Sequence, residues 1–200
     1  MNTSIYGVIL AAGESIRMGS PKALLQIKGK TFLQHLVATL RNAGLHEISV
    51  VLGHDSDKII AQLPDLKIDF VINENYQKGQ LSSIQVAIKS APNDCDAIMI
   101  CPIDRPLISS ELIKKLIEAY SKTKPPIVVP IFDAKRGHPI IFSSSLFSEL
   151  MRAPHDIGAR AVVWAHHNEV IEVPTGEEGI LINVDTPEIF EKYINQMNIE

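Results

Sequence analysis

Cysteine, aromatic residues and charge imbalance are all scarce in this sequence. Two cysteines, Cys95 and Cys101, stand among 200 residues. They allow one disulfide at most, far short of the frameworks that staple small secreted domains. Cys101 ends an apolar run, where a small buried thiol serves packing, so the pair reads as reduced thiols of a cytoplasmic protein. Lysine and arginine number 19 against 23 aspartate and glutamate, for a net charge of −4. The signs are interspersed, which excludes a strongly basic nucleic-acid surface but not a local basic pocket. No apolar run approaches the roughly 18 residues of a membrane span. The opening MNTSIYGVILAAG has no basic region ahead of its apolar run and reads as a first strand, not a signal peptide. Internal repeats, low-complexity segments and long linkers are missing too.

What is present is alternation. Tyr6–Leu10, Ile48–Leu52, Ile68–Ile72 and Ala97–Cys101 are short apolar runs of strand length. Between them lie Thr31–Ala43, with apolar residues at helical spacing and Gly44 as a stop, Asp55–Leu63 and Ser82–Ala91. Ser109–Tyr120 is the next helix. Ile127–Pro130 and Pro139–Phe142 then read as strands around the turn DAKRG. Helices follow at Ser145–Met151 and Asp156–Ala165, strands at Val170–Val173 and Leu181–Val184, and a last helix at Thr186–Met197, with Pro187 at its first position. Strands alternating with helices predict an α/β fold, a mostly parallel sheet covered on both faces. In such sheets ligands bind beyond the carboxyl ends of the strands, so the loops after strands are where function is sought.

The first such loop, LAAGESIRMGSPK, has Ala11, Ala12 and Gly13 where backbone can approach a ligand closely. Its amides can form an anion nest, with Arg17 and Lys22 adding charge. It lacks G-x-G-x-x-G, and its spacing is not that of a Walker A loop; Pro21 would also interrupt a continuous run of amides. On residues alone it is either an anion cradle of a third kind or a surface loop with two solvated cations. Asp104, in MICPIDRPL, and Asp185, in LINVDTPEIF, end apolar runs. Each is either a carboxylate for Mg²⁺, which takes one or two carboxylates together with water and phosphate oxygens, or a turn-opening or helix-capping aspartate. The segment INENYQKGQLSSIQ starts a helix whose amino end would face an anion or a base edge, unless Ser82 is only a cap. KRGHP and HDIGAR are two further polar turns. No Ser–His–Asp or Cys–His set appears.

The run G-x-S-x-R-M-G-x-x-K from Gly13 to Lys22 resembles the signature of nucleotidyltransferases similar to molybdopterin-guanine dinucleotide synthase. The resemblance covers nearly the whole chain. It implies a Rossmann-like three-layer α/β/α domain over 1–200, with a nucleotide-binding part at about 1–108 and an acceptor-binding part at about 109–200. It implies that Leu10, Ala11, Ala12, Gly13, Arg17, Lys22, Asn73, Gly79 and Ser83 bind the nucleotide, that Arg17, Lys22 and Asp104 are catalytic, and that Asp104 and Asp185 hold Mg²⁺, with Asn183 a lesser candidate. Gly137, His138, Pro139, Asp156 and Arg160 fall on the acceptor side. The LAAG, GHP, DIGAR and VDTP segments most resemble the molybdenum cofactor cytidylyltransferases, whereas the guanylyl branch usually has glycine where Ala12 stands. The implied substrates are CTP and a molybdopterin-type phosphorylated acceptor, with a molybdoenzyme receiving the product and neither nucleic acid nor membrane as partner. GTP-using or sugar-phosphate transfer and a non-catalytic cofactor carrier are the alternatives. Arg105 departs from the family, which usually has an uncharged residue there.

Overall fold

The first apolar run forms strand β1, Ile5–Ala11, and every residue in it is buried. A strand covered on both faces needs apolar side chains at consecutive positions, and this one has them. In the computed structural model, which describes residues 3–195, β1 lies in the middle of an eight-stranded sheet. It pairs in parallel with β2, Ile48–Leu52, on one side and with β4, Ala97–Pro102, on the other. Strand β3, Asp69–Ile72, extends the β2 side in parallel.

Helices cover the sheet as the alternation predicts. Helix α1, Phe32–Asn42, starts at Thr31, whose Oγ1 accepts from the Gln34 amide while Gln34 accepts from the Thr31 amide, a reciprocal cap. It packs with α2, Ser56–Ala61, and α4, Ser110–Thr123, on the face that carries Ile9, Met99 and Cys101. Helix α3, Gln80–Ser90, packs on the opposite face, against Val8, Leu10, Ile98 and Ile100. The two cores divide β1 and β4 by alternate residues, as a strand of period two requires.

After α4 the chain returns as β5, Ile127–Phe132. It turns through Asp133 and Ala134, both at positive φ, into β6, Lys135–Arg136, and then β7, Ile140–Ser143. Strand β7 fills the place between β4 and β5 and runs antiparallel to both. Between the β6 and β7 ladders this side of the hairpin carries two more residues than β5. The excess bulges out as Gly137, His138 and Pro139. Helices α5, Phe147–Arg152, and α6, Arg160–Ala165, follow, then β8, Val170–Pro174, parallel to β5 at the sheet edge.

Three expectations change. Leu181–Val184 is not a strand: Glu178–Ile180 makes a single helical turn and the chain then runs irregularly. Val184 is buried and Leu181 and Ile182 are partly buried against the same core, but an apolar run alone does not separate strand from packed coil. The helix expected from Asp156 starts only at Arg160, because Gly158 sits at φ +76° and breaks the helical path. The last helix is a short α7, Pro187–Phe190, followed by a wider π turn over Glu191–Asn195; Met197, its expected end, lies outside the described residues. Among the described residues no helix is long and apolar enough to cross a membrane.

Candidate active site

The strand order reverses at β1: the chain adds β2 and β3 to one side, then crosses under the sheet through α3 to place β4 on the other. The loops after β1 and β4 therefore part from each other and leave a crevice at their carboxyl ends. A cleft of about 260 Å³ opens there, bounded by the Leu10–Gly13 backbone, Lys22, Gly79, Gln80, Ser83 and Asp104.

The loop after β1 is set by local chemistry. Ser15 and Gly19 both adopt left-handed conformations, and Ser15 Oγ accepts from the Lys22 amide at 3.2 Å. That bond folds the loop back, so Lys22 points inward while Arg17 stays 68% exposed. The Ile103 amide donates to the Leu10 carbonyl at 3.0 Å, tying the Asp104 loop to the end of β1.

Asp185 arrives from far along the chain, on a segment fastened to the Asp104 loop at four points. The Val184 amide donates to the Asp104 carbonyl at 2.7 Å. The Arg105 guanidinium donates to the Ile180 carbonyl. Gly179 packs so closely on Leu107 that a Cβ would lie 2.1 Å from its carbonyl oxygen. Glu177 accepts from both the amide and the hydroxyl of Ser109, at 2.9 and 2.6 Å. Arg105 thus serves this seam: its charge meets a backbone carbonyl that also accepts from the His138 amide.

Four of the expected residues meet. Lys22 Nζ contacts Asp185 Oδ1 and lies 3.8 Å from Asp104 Oδ2. Arg17 Nη2 lies 3.2 Å from Asp185 Oδ2. Burial pushes the Asp104 carboxyl above the ordinary carboxylate value; the Lys22 ammonium opposes this and the Asp185 carboxylate adds to it. Asp104 Oδ1 and Asn183 Oδ1 are buried without a hydrogen-bond partner. Among the described residues no group of three or more His, Cys, Asp or Glu side chains could hold a metal. Two aspartates, one with an unsatisfied buried oxygen, fit an ion such as Mg²⁺ that completes its shell with water and phosphate.

Other expected residues are placed differently. Asn73 does not line the cleft: it is fully buried and donates to Ser82 and Ser83 at 2.8 and 2.9 Å while accepting from the Asn75 amide. It fixes the start of α3, and so the position of Gly79 and Ser83, from beneath. Of the residues expected on the acceptor side, Gly137, His138 and Arg160 line a second cavity of about 380 Å³, with Gln80 lining both it and the first cleft. Pro139 does not line that cavity, and Asp156 is exposed, outside it and short of α6. His138 Nδ1 is buried without a partner, and burial with the nearby Arg105 charge pulls the imidazole down to about 3, so the ring is neutral. Ile59 and Tyr76 are among the lining residues that the sequence reading did not assign to the site. A signal for Tyr76 was Gly53 at the end of β2, where a Cβ would lie 2.6 Å from the tyrosine Cβ.

A family model for the MobA-like NTP transferase domain matches residues 7–170. The chain belongs to the MobA-like NTP transferase family. It is a nucleotidyltransferase by that membership, and its relatives within and around the family are diverse. Nicotine blue oxidoreductase of Paenarthrobacter nicotinovorans is 28% identical, over 92% of this chain and 93% of its own. The bifunctional protein GlmU of Legionella pneumophila is 34% identical over 127 residues, which span 62% of this chain but only 27% of GlmU. Among solved structures, Rv0371c of Mycobacterium tuberculosis superposes with a TM-score of 0.84 at 28% identity, covering 98% of this chain and 99% of its own. A manganese complex of Rv0371c gives 0.78 at 26% identity, covering 96% and 99%.

Proposed function

We propose that this MobA-like protein transfers CMP from CTP to the terminal phosphate of a molybdopterin-type acceptor, releasing pyrophosphate, with Mg²⁺ at Asp104 and Asp185. One observation carries the reading: Arg17, Lys22, Asp104 and Asp185, from the start, middle and end of the chain, converge beside a cleft at the switch point of the sheet.

In this reading the Ala11–Gly13 amides, Arg17 and Lys22 receive the triphosphate, and the start of α3 receives the base and ribose. An acceptor phosphate oxygen, presented from the second cavity across Gln80, bonds to the α-phosphorus as the bond to the pyrophosphate oxygen breaks in line. No side-chain nucleophile is needed; positioning and charge neutralisation account for the rate. When bound, Mg²⁺ would supply electrostatic stabilisation at the phosphate oxygens. The Lys22 ammonium, well shielded from water, offsets the charge that develops on the departing pyrophosphate. His138, neutral, offers a hydrogen bond to the acceptor and no proton-transfer role. A molybdoenzyme that receives the dinucleotide cofactor completes the picture.

Pyrophosphate release, measured with each of the four NTPs, with and without molybdenum-loaded molybdopterin, tests this. CTP with molybdopterin should be the productive pair. Turnover with GTP, or with sugar phosphates as acceptors, would reassign the substrate within the same chemistry; cofactor retention without pyrophosphate release would make the protein a carrier.

A further inference from the structure

The two carboxylates of the site are already engaged by a cation of the chain itself. Asp185 gives one oxygen to Lys22 and the other to Arg17, and the same Lys22 ammonium faces Asp104 Oδ2 at 3.8 Å. The two cations differ in setting. The Arg17 side chain is 68% exposed, whereas that of Lys22 is 14% exposed and its backbone is pinned by Ser15. A divalent cation shared by Asp104 and Asp185 would need the oxygens that Lys22 now faces, and its charge would repel the ammonium. Both cannot hold the pair in full contact. Lysine carries its charge at the end of a flexible four-carbon stem, so the head can leave the pair while the backbone stays fixed, if another set of oxygens attracts it.

We propose that Lys22 is the resident counter-cation of the Asp104–Asp185 pair and yields it to a divalent cation when a triphosphate takes the ammonium, so that metal and nucleotide bind cooperatively. The inference rests on the function proposed above and adds to it a coupling built into the site. Metal alone competes with Lys22 for the carboxylates. Nucleotide alone must draw Lys22 away and leave Asp104 beside Asp185 without the cation that faces both. Each ligand removes the obstacle to the other, and linkage requires the effect to be equal in both directions.

The test is Mn²⁺ affinity, read from the free-ion EPR signal, for the wild type, Lys22→Met and Asp104→Asn. Each is measured with and without a CTP analogue carrying a non-transferable α,β-methylene bridge, and the Mn²⁺ taken up by the analogue alone, titrated without protein, is subtracted. The wild type should bind Mn²⁺ weakly alone and about tenfold or more tightly with the analogue. Lys22→Met should bind Mn²⁺ alone about tenfold more tightly than the wild type, and the analogue should add little. That gain should persist in 0.5 M KCl, because contact pairs shielded from solvent are screened far less than distant charges. Thermal melts report whether the fold survives; Lys22→Gln, which keeps length and polarity, serves if Lys22→Met does not fold. If the folded Lys22 variants bind Mn²⁺ alone no more tightly than the wild type, the inference is overturned, while a wild-type gain from the analogue leaves the functional reading standing. If Asp104→Asn leaves Mn²⁺ binding unchanged under every condition, the functional reading fails and the inference falls with it.

Discussion

Lys22 and Asp104 illustrate how much a single position can carry. Each is shielded from water, so neither charge is diluted by solvent as an exposed pair would be. Lys22→Ala and Asp104→Asn should each lower CMP transfer by about 10²–10³-fold, the loss typical of removing one preorganised electrostatic group. Full activity in either variant would refute the assigned chemistry. Ala12 lines the nucleotide cleft and is buried. Ala12→Gly removes one methyl and should raise the GTP-to-CTP ratio of kcat/KM about tenfold, the scale on which a pocket discriminates one carbon; an unchanged ratio would remove Ala12 from base selection. His138 carries a pH prediction. Its folded value, about 3, lies below the ordinary 6.5. The unfolded chain therefore binds a proton that the folded protein refuses between those values. Its contribution is complete above 6.5 and lost as pH falls toward 3, about 2 kcal/mol of it by pH 5. Urea melts at pH 5.0 and 7.5 should show His138→Gln losing less stability on acidification than the wild type by roughly that amount.

At the scale of elements, the decisive piece is the segment from Glu177 to Asp185, which belongs to no strand and no long helix. Several of its backbone groups are taken up by the Asp104 loop, the His138 turn and its own short turn, so it is ordered without a ladder. This is why its place was illegible beforehand. The apolar letters of LINV announced burial correctly, yet burial beside a strand end and burial within a sheet read alike. Asp185 was read as a carboxylate at a strand end, but the run before it is no strand; its meeting with Lys22, 163 positions earlier, was legible only through the family likeness. Asn73 was marked for the right neighbourhood and the wrong job, because a sequence does not say which side of a loop an amide faces. The helical spacing of α1 and the unbroken apolar run of β1 were plain. The seam gives its own prediction. A Cβ on Gly179 would meet Leu107 at 2.1 Å, whereas one on Gly176 meets nothing within 4 Å. Gly179→Ala should cost about 1–3 kcal/mol, the usual range for overpacking, and weaken metal-dependent nucleotide binding. Gly176→Ala should do neither. Equal effects in melting temperature and nucleotide affinity would mean that the seam does not position Asp185.

For the whole molecule, a mostly parallel sheet was expected and is present; the antiparallel β7, wedged between β4 and β5, is what gives the crevice its second half. By running opposite to its neighbours, it brings the bulge at Gly137–Pro139 up to the end of the sheet where the parallel strands finish. Nucleotide cleft and second cavity then share one rim, with Gln80 on both. The site is thus assembled only in the folded chain, from residues at the start, middle and end of the sequence. A ligand that binds it must favour the folded state over the unfolded one. CTP analogue with Mn²⁺ at a hundred times its Kd should add about 2.7 kcal/mol to stability, a rise in Tm of roughly 5–10 °C for a domain of this size. Asp104→Asn should lose the metal-dependent share of that rise while keeping the same folded spectrum, since its side chain lies outside both hydrophobic cores. An identical rise in Asp104→Asn, or one indifferent to Mn²⁺, would place the nucleotide away from the switch point and dissolve the link between this sheet order and transfer chemistry.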